Sequence, residues 1–243
     1  MREIIFELCA ETLDACLAAR EGGANRIELC SALSEDGLTP SHALIRAAVA
    51  QSGLPVYVLL RPRGGDFVYS EREFALMRDD LLHARSLGAS GFALGLLRAD
   101  GTVDVERTRE LVALAAPLEV TFHRAFDGTP SLDAALEDVI DAGCRRVLTS
   151  GGERDVVAGA ANLARLMERS GDRIAVAAGG GLRIQNAPFV AAATKVRHFH
   201  GSVRRRVEVT TKIAREKPGP LATAMYVVDP GDVRAMIEAL KQS

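Results

Sequence analysis

The chain has 243 residues, 48% of them apolar and 26% charged, with a formal net charge of -2. Such a composition belongs to a globular protein with one well-buried core, and the charge balance excludes a polybasic arm for nucleic acid or for an anionic membrane. No apolar run approaches the roughly 20 residues that span a bilayer, and Glu3, Glu7 and Glu11 interrupt any signal-peptide core at the N-terminus.

Short apolar segments recur at residues 4–9, 26–30, 56–61, 91–95, 118–123, 146–150, 174–178 and 196–200, with amphipathic stretches of helical period between most of them. The first segment, IIFELC, alternates. Ile4, Phe6 and Leu8 form one face and Ile5, Glu7 and Cys9 the other. The second, RIELC, sets Ile27 and Leu29 against Arg26, Glu28 and Cys30. A strand has period two, so the apolar sets belong under helices and the polar sets inside a closed sheet. Thr39-Pro40 and Thr129-Pro130 read as N-caps followed by proline at the first helical position. Ser70 and Glu73 have capping-box spacing ahead of FALMRDDLLHARSLG. EGGANRIEL, SLGASGFAL and DAGCRRVLT each run from a helix through glycine into the next strand. Strands alternating with helices at about thirty-residue spacing imply βαβ units and a parallel sheet. Eight of them predict a single TIM (β/α)8-type barrel over residues 1–243. After His200 the sequence reads as loop until a final helix at about 232–240.

The same parity places Tyr57, Leu59, Arg61 and Arg63 on one face of the third strand, Thr121 and His123 on the fifth, and His198 and His200 on the eighth. In a barrel of this type the active site lies at the strands' C-terminal ends. RPRGGDF (residues 61–67) offers two guanidinium forks that suit a carboxylate or phosphate; Arg61 could equally neutralise Glu7 or Glu28. TFHRAFD (121–127) supplies His123 as a candidate acid or base, with Arg124 and Asp127 beside it. LTSGGE, AAGGGLR and HFHGSVR are small-residue loops after the last three strands. Their candidate anion-binding groups are Ser150, Gly179, Gly180, Gly181, His200 and Ser202. Cys9 and Cys30 stand at matched positions on neighbouring strands and could be core thiols or a soft-metal pair. Nearby arginines, Arg26 and Arg61 among them, are expected to favour the thiolate, whereas Glu7 and Glu28 oppose it. Cys16 and Cys144 read as structural. With no framework spacing, the four cysteines fit a reducing, cytoplasmic compartment.

IELCSALSEDGLTPS, RPRGGDFVYS, VTFHRAFD, VLTSGG, the GGG loop and the H-x-S end of the eighth strand together resemble the CutC copper-homeostasis family, in order from Glu7 to Ser202. The resemblance implies a TIM barrel, a cytoplasmic location and an association with copper. It also implies a polar mouth made of Glu7, Cys9, Glu28, Cys30, Arg61, Arg63, His123, Arg124, Asp127, Ser150, His200 and Ser202. One departure is His198, where relatives often carry an acidic residue.

Two functions follow as expectations. The first is a copper-homeostasis protein that binds Cu(I) through Cys9 and Cys30. The second is a barrel enzyme acting on a phosphorylated or carboxylated metabolite, with His123, Glu7 and Glu28 as catalytic groups and Arg61, Arg63, Arg124 and the glycine loops holding the anion. The partners to expect are a metal ion or a small anionic ligand, with a homo-oligomer left open.

Overall fold

The computed structural model describes residues 3–207 and 225–242. Eight parallel strands close into a barrel in sequence order: β1 (Ile5–Ala10), β2 (Arg26–Leu29), β3 (Val56–Leu59), β4 (Gly91–Leu94), β5 (Glu119–Phe122), β6 (Arg146–Thr149), β7 (Ala175–Gly179) and β8 (His198–Gly201). Helices α1 (Leu13–Gly22), α2 (His42–Gln51), α3 (Glu71–Ser86), α4 (Val105–Ala115), α5 (Leu132–Asp141), α6 (Ala160–Ser170) and α7 (Ala187–Thr194) form the outer layer, with α8 (Pro230–Lys241) at the C-terminal end. All eight expected strands are present. The closing β1–β8 pair places Glu7 opposite His200, and the β1–β2 pair places it opposite Arg26.

Strand alternation separates two cores. Phe6, Leu8, Ile27, Leu29, Val58, Phe92, Phe122 and Phe199 pack outward in the large cluster beneath the helices. Cys9, Cys30, Leu59 and Ala93 form a separate small cluster inside the barrel, with Leu33 packed against it. Burial of the outward set supplies the main driving force for closing the sheet.

The glycine stops work as read. Gly23, Gly88 and Gly143 have φ of 85°, 92° and 90°, a left-handed conformation that side-chain-bearing residues rarely adopt. The Ser70–Glu73 capping box is complete. The two proline-based caps are displaced. Ser41 caps α2 and Ser131 caps α5, because each serine offers its oxygen two residues beyond the expected threonine. Thr39 instead accepts the Arg61 backbone N–H at 2.9 Å. The expected loop after His200 also needs correction. Arg205–Val207 and Met225–Val227 pair as antiparallel strands β9 and β10, with the Arg204 guanidinium 4.5 Å from the Tyr226 ring centre. The rest of that stretch, 208–224, lies outside the described residues. The final helix runs two residues earlier than read, capped by Asp229, and rests on α1. There Gly22 gives Val233 room that a Cβ, 2.4 Å away, would fill.

Candidate metal centre at the barrel mouth

The barrel interior is a column of polar contacts rather than layers of aliphatic side chains. At its base Tyr57 donates to Glu119 at 3.1 Å, and the Arg26 guanidinium lies 3.3 Å from the Tyr57 ring centre, a cation–π contact. Gly91 makes space for that ring, since a Cβ there would sit 2.2 Å from it. One layer higher, Glu7 is 1% exposed. Its Oε2 accepts from Arg26 Nε and Arg146 Nη1, both at 2.5 Å, and its Oε1 meets His200 Nδ1 at 2.8 Å. Burial alone would raise the Glu7 carboxyl. The two guanidiniums and His200 outweigh it and hold the group well below the usual carboxylate range. An ionised carboxylate only accepts, so His200 donates through Nδ1, and its Nε2 faces the mouth.

The next layer holds the sulfurs. Cys9 Sγ lies 3.7 Å from Cys30 Sγ and 3.7 Å from Glu28 Oε1, while His200 Nε2 is 3.9 Å from Glu28 Oε1. Ligand atoms of Cys9, Glu28 and His200 all fall within 4.8 Å of one another. Glu28 Oε2 is buried without a partner among the described residues. Burial and the neighbouring Glu7 charge raise the Glu28 carboxyl, with His200 and the arginines opposing. For His200 burial opposes the charged form, but Glu28, Cys9 and Glu7 outweigh it and raise the imidazole well above its ordinary value. The expectation that nearby arginines favour the Cys9 thiolate is overturned. The hydrogen bond with Cys30, burial and the Glu28 charge push the Cys9 thiol well above its ordinary value. The arginines are occupied elsewhere. Arg26 holds Glu7, and the terminal nitrogens of Arg61 donate to the Glu35, Gly37 and Gly65 carbonyls.

Above the sulfurs lies a cavity of about 910 Å3, lined among others by Cys9, Glu28, Arg61, His123, Arg124 and His200. Gly180, Gly181 and Ser202 also face it. Arg61 therefore neutralises neither Glu7 nor Glu28. It braces the β2–α2 loop and the turn after β3. His123 is buried, its Nδ1 accepts the Ala125 backbone N–H at 3.1 Å, and burial with the Arg61 and Arg124 charges pushes it down to about 3. A neutral ring whose acceptor nitrogen is already used makes a donor, not the acid or base expected of it.

Three residues of the expected anion site have other work. Arg63 lies outside the mouth, bound to Glu73 at 2.5 Å and to Asp66 at 3.0 Å. Ser150 is buried and donates to Asp127 at 2.9 Å or the Glu153 carbonyl at 2.6 Å. Gly179 is a packing position, where a Cβ would meet Leu148 at 2.6 Å. Gly180, at φ 103°, gives room to Arg124, whose guanidinium carbon would lie 2.9 Å from a Cβ. Arg124 in turn donates to Asp127 at 2.8 Å. Asp127 also accepts the Ser150 and Gly152 backbone N–H groups at 3.1 and 3.0 Å, so it clasps the turn after β5 to the turn after β6. Arg146 escaped notice in the sequence, although the parity that turns Leu148 and Ser150 inward turns it inward too.

The ion-paired column and the thiol, imidazole and carboxylate above it define a TIM barrel with a candidate soft-metal centre. Similarity is in keeping with this. The chain belongs to the CutC family, whose model matches residues 4–205. It is 46% identical over 244 residues to a family protein CutC of Chromobacterium violaceum, covering 98% of this chain and 99% of that protein. A CutC protein of Streptococcus agalactiae, named for copper homeostasis, superposes with a TM-score of 0.78 at 30% identity, over 82% of this chain and 98% of that one. A thiamine phosphate pyrophosphorylase from Pyrococcus furiosus, 14% identical with a TM-score of 0.59 over 98% of this chain and 94% of its own, shares the fold alone. Among the described residues no helix is long and apolar enough to cross a membrane.

Proposed function

We propose that the protein is a cytosolic copper-handling protein that binds one Cu(I) through Cys9 and Cys30. The observation that carries this reading is the 3.7 Å separation of the two sulfurs. Two sulfurs about 2.3 Å from one ion, at a tetrahedral angle, stand roughly 3.8 Å apart. Thiolates are soft donors that select Cu(I), the state a reducing cytosol supplies. His200 supports the assignment as a third ligand: its Nδ1 is fixed on the Glu7 carboxylate, the arrangement that orients metal-binding histidines, and its Nε2 faces Glu28 and Cys9. The cytosolic assignment rests on four free, buried cysteines. Because Cys9 holds its proton and His200 is held as the imidazolium, copper uptake displaces a proton from each, so binding strengthens as pH rises.

X-ray absorption at the copper edge, on protein loaded anaerobically with Cu(I), tests the donor set. Sulfur scattering that disappears in Cys9→Ser/Cys30→Ser supports the reading. A spectrum of nitrogen and oxygen donors only, unchanged by the double substitution, contradicts it.

A further inference from the structure

Among the described residues, His123 and Arg61 each hold a buried N–H donor with no acceptor. Because His123 Nδ1 accepts from Ala125, the single proton of the neutral ring sits on Nε2, and Nε2 is buried without a partner. The ring is not free to turn and find one. It packs on Phe67 with centroids 5.0 Å apart, and its Cε1–Nδ1 edge would lie 2.5 Å from a Cβ at position 95, where glycine stands. Arg61 repeats the pattern. Its terminal nitrogens donate to three carbonyls, while Nε is buried and has no partner among the described residues. Its guanidinium lies 5.1 Å from the centre of the same Phe67 ring. Both residues line the mouth cavity, and so does Glu28, whose Oε2 is a buried acceptor with no donor.

Unpaired buried polar groups are costly, and of the eight such side-chain atoms among the described residues three belong to residues that line this one cavity, which points to a ligand that completes them. The cavity, at about 910 Å3, lies in the range of organic ligand sites and is far larger than a bare ion needs. Arg183 adds positive charge to its wall; Arg204 is paired with Glu11 at 3.3 Å, and Asp36 and Asp232 also line it.

We propose that the barrel mouth binds a small hydroxylated organic anion, with one of its oxygens accepting from His123 Nε2–H and Arg61 Nε–H and a hydroxyl donating to Glu28 Oε2. The anionic group is a carboxylate or a phosphate ester, drawn by the arginines of the wall. Neither donor is a sulfur or a candidate metal ligand; the Glu28 contact alone is shared with the candidate metal centre below. Neutrality of His123, whose pKa is about 3, keeps Nδ1 as the acceptor of the Ala125 N–H and the single ring proton on Nε2 across the physiological range.

The test uses metal-free wild-type protein with 15N-labelled histidine. D-Glycerate and D-ribose 5-phosphate are the carboxylate and phosphate probes, and glycerol is the neutral control. At least one anion should raise Tm and move the His123 Nε2–H resonance downfield, whereas glycerol should do neither. His123→Phe keeps an aromatic ring against Phe67 and should weaken the binding anion about tenfold, the effect of losing one hydrogen bond worth about 1.4 kcal/mol. Arg63→Gln, outside the mouth, should leave affinity unchanged. The proposal is overturned if neither anion acts at about 10 mM, ten times a millimolar Kd, or if binding leaves the Nε2 resonance unmoved. Equal affinity in His123→Phe overturns it as well; if that variant fails to fold, the wild-type resonance alone decides.

Discussion

Glu7→Gln probes the ionic column most sharply, because it changes charge and almost nothing else. In the wild type one carboxylate holds two guanidiniums and an imidazole, with the Arg26 and Arg146 side chains 10% and 3% exposed. Glutamine keeps the shape but offers one acceptor oxygen. If that oxygen faces the arginines, the NH2 group confronts the donating Nδ1 of His200; if it is reversed, the guanidiniums lose their acceptor. Breaking a buried pair by removing one partner costs about 3–5 kcal/mol, because the remaining charge is left uncompensated. At about 2–4 °C per kcal/mol for a chain of this size, Tm should fall by about 6–20 °C. Denaturant unfolding should show an earlier midpoint with an unchanged m-value. Glu7→Gln/Arg146→Met removes one orphaned charge and should recover part of the loss, a coupling of about 0.5–3 kcal/mol. A single-variant cost below about 1 kcal/mol, or strictly additive losses in the double variant, would refute the claim that Glu7 holds the column together.

Acid sensitivity should come in part from two neutral histidines, buried His123 with a pKa of about 3 and half-buried His198 of about 4, the latter lowered by burial and by the Arg146 and Arg26 charges. Both sit below the unfolded value of about 6.5. The unfolded chain therefore binds two more protons than the folded one, and their contribution is intact above pH 6.5 and lost as pH falls towards those values. The pair accounts for roughly 2–3 kcal/mol per pH unit near pH 5. His198→Asn should reduce the measured slope between about pH 6 and 5 by one proton, and equal slopes would contradict the assignment. Gly91→Ala drives a Cβ into the Tyr57 ring and should cost about 1–3 kcal/mol by overpacking, measured by urea unfolding; a neutral result would mean that the Tyr57–Arg26 stack gives way easily. Arg63→Ala removes ion pairs outside the mouth and should change stability by at most about 1 kcal/mol while leaving Cu(I) uptake at the wild-type level; loss of uptake would return Arg63 to the site.

The barrel was legible because both of its periodicities survive in the sequence. Glycine closes α1, α3 and α5 where the chain needs φ above zero, and the alternation in IIFELC and RIELC sorts the two cores without reference to any partner. The thiol pair was legible only as a shared face: the β1–β2 register sets Cys9 opposite Glu28, with Cys30 two residues further along its strand, so the matched height expected of them does not hold although the sulfurs lie 3.7 Å apart. The destinations of long side chains were not. Arg61 and Arg63 stand two residues apart with the same parity, yet one folds back on loop carbonyls and the other leaves the barrel for Glu73, since β3 ends at Leu59 and parity stops with it. The partners of Glu7 are Arg26 from the adjacent strand and Arg146 from across the barrel, a choice set by closure of the sheet rather than by any local spacing. His123 read as a base until the Ala125 N–H, two residues away along the chain, took its lone pair.

Competition for Cu(I) against a chelator of known affinity, under anaerobic reducing conditions, tests the proposed function most directly. It compares the wild type with Cys9→Ser, Cys30→Ser and the double variant, each first checked for folding by its thermal transition. The wild type should take one Cu(I) per chain, each single variant should bind at least about tenfold more weakly, and the double variant should not compete at all. Equal uptake by the wild type and the double variant would contradict the account and leave Cys9 and Cys30 as core thiols.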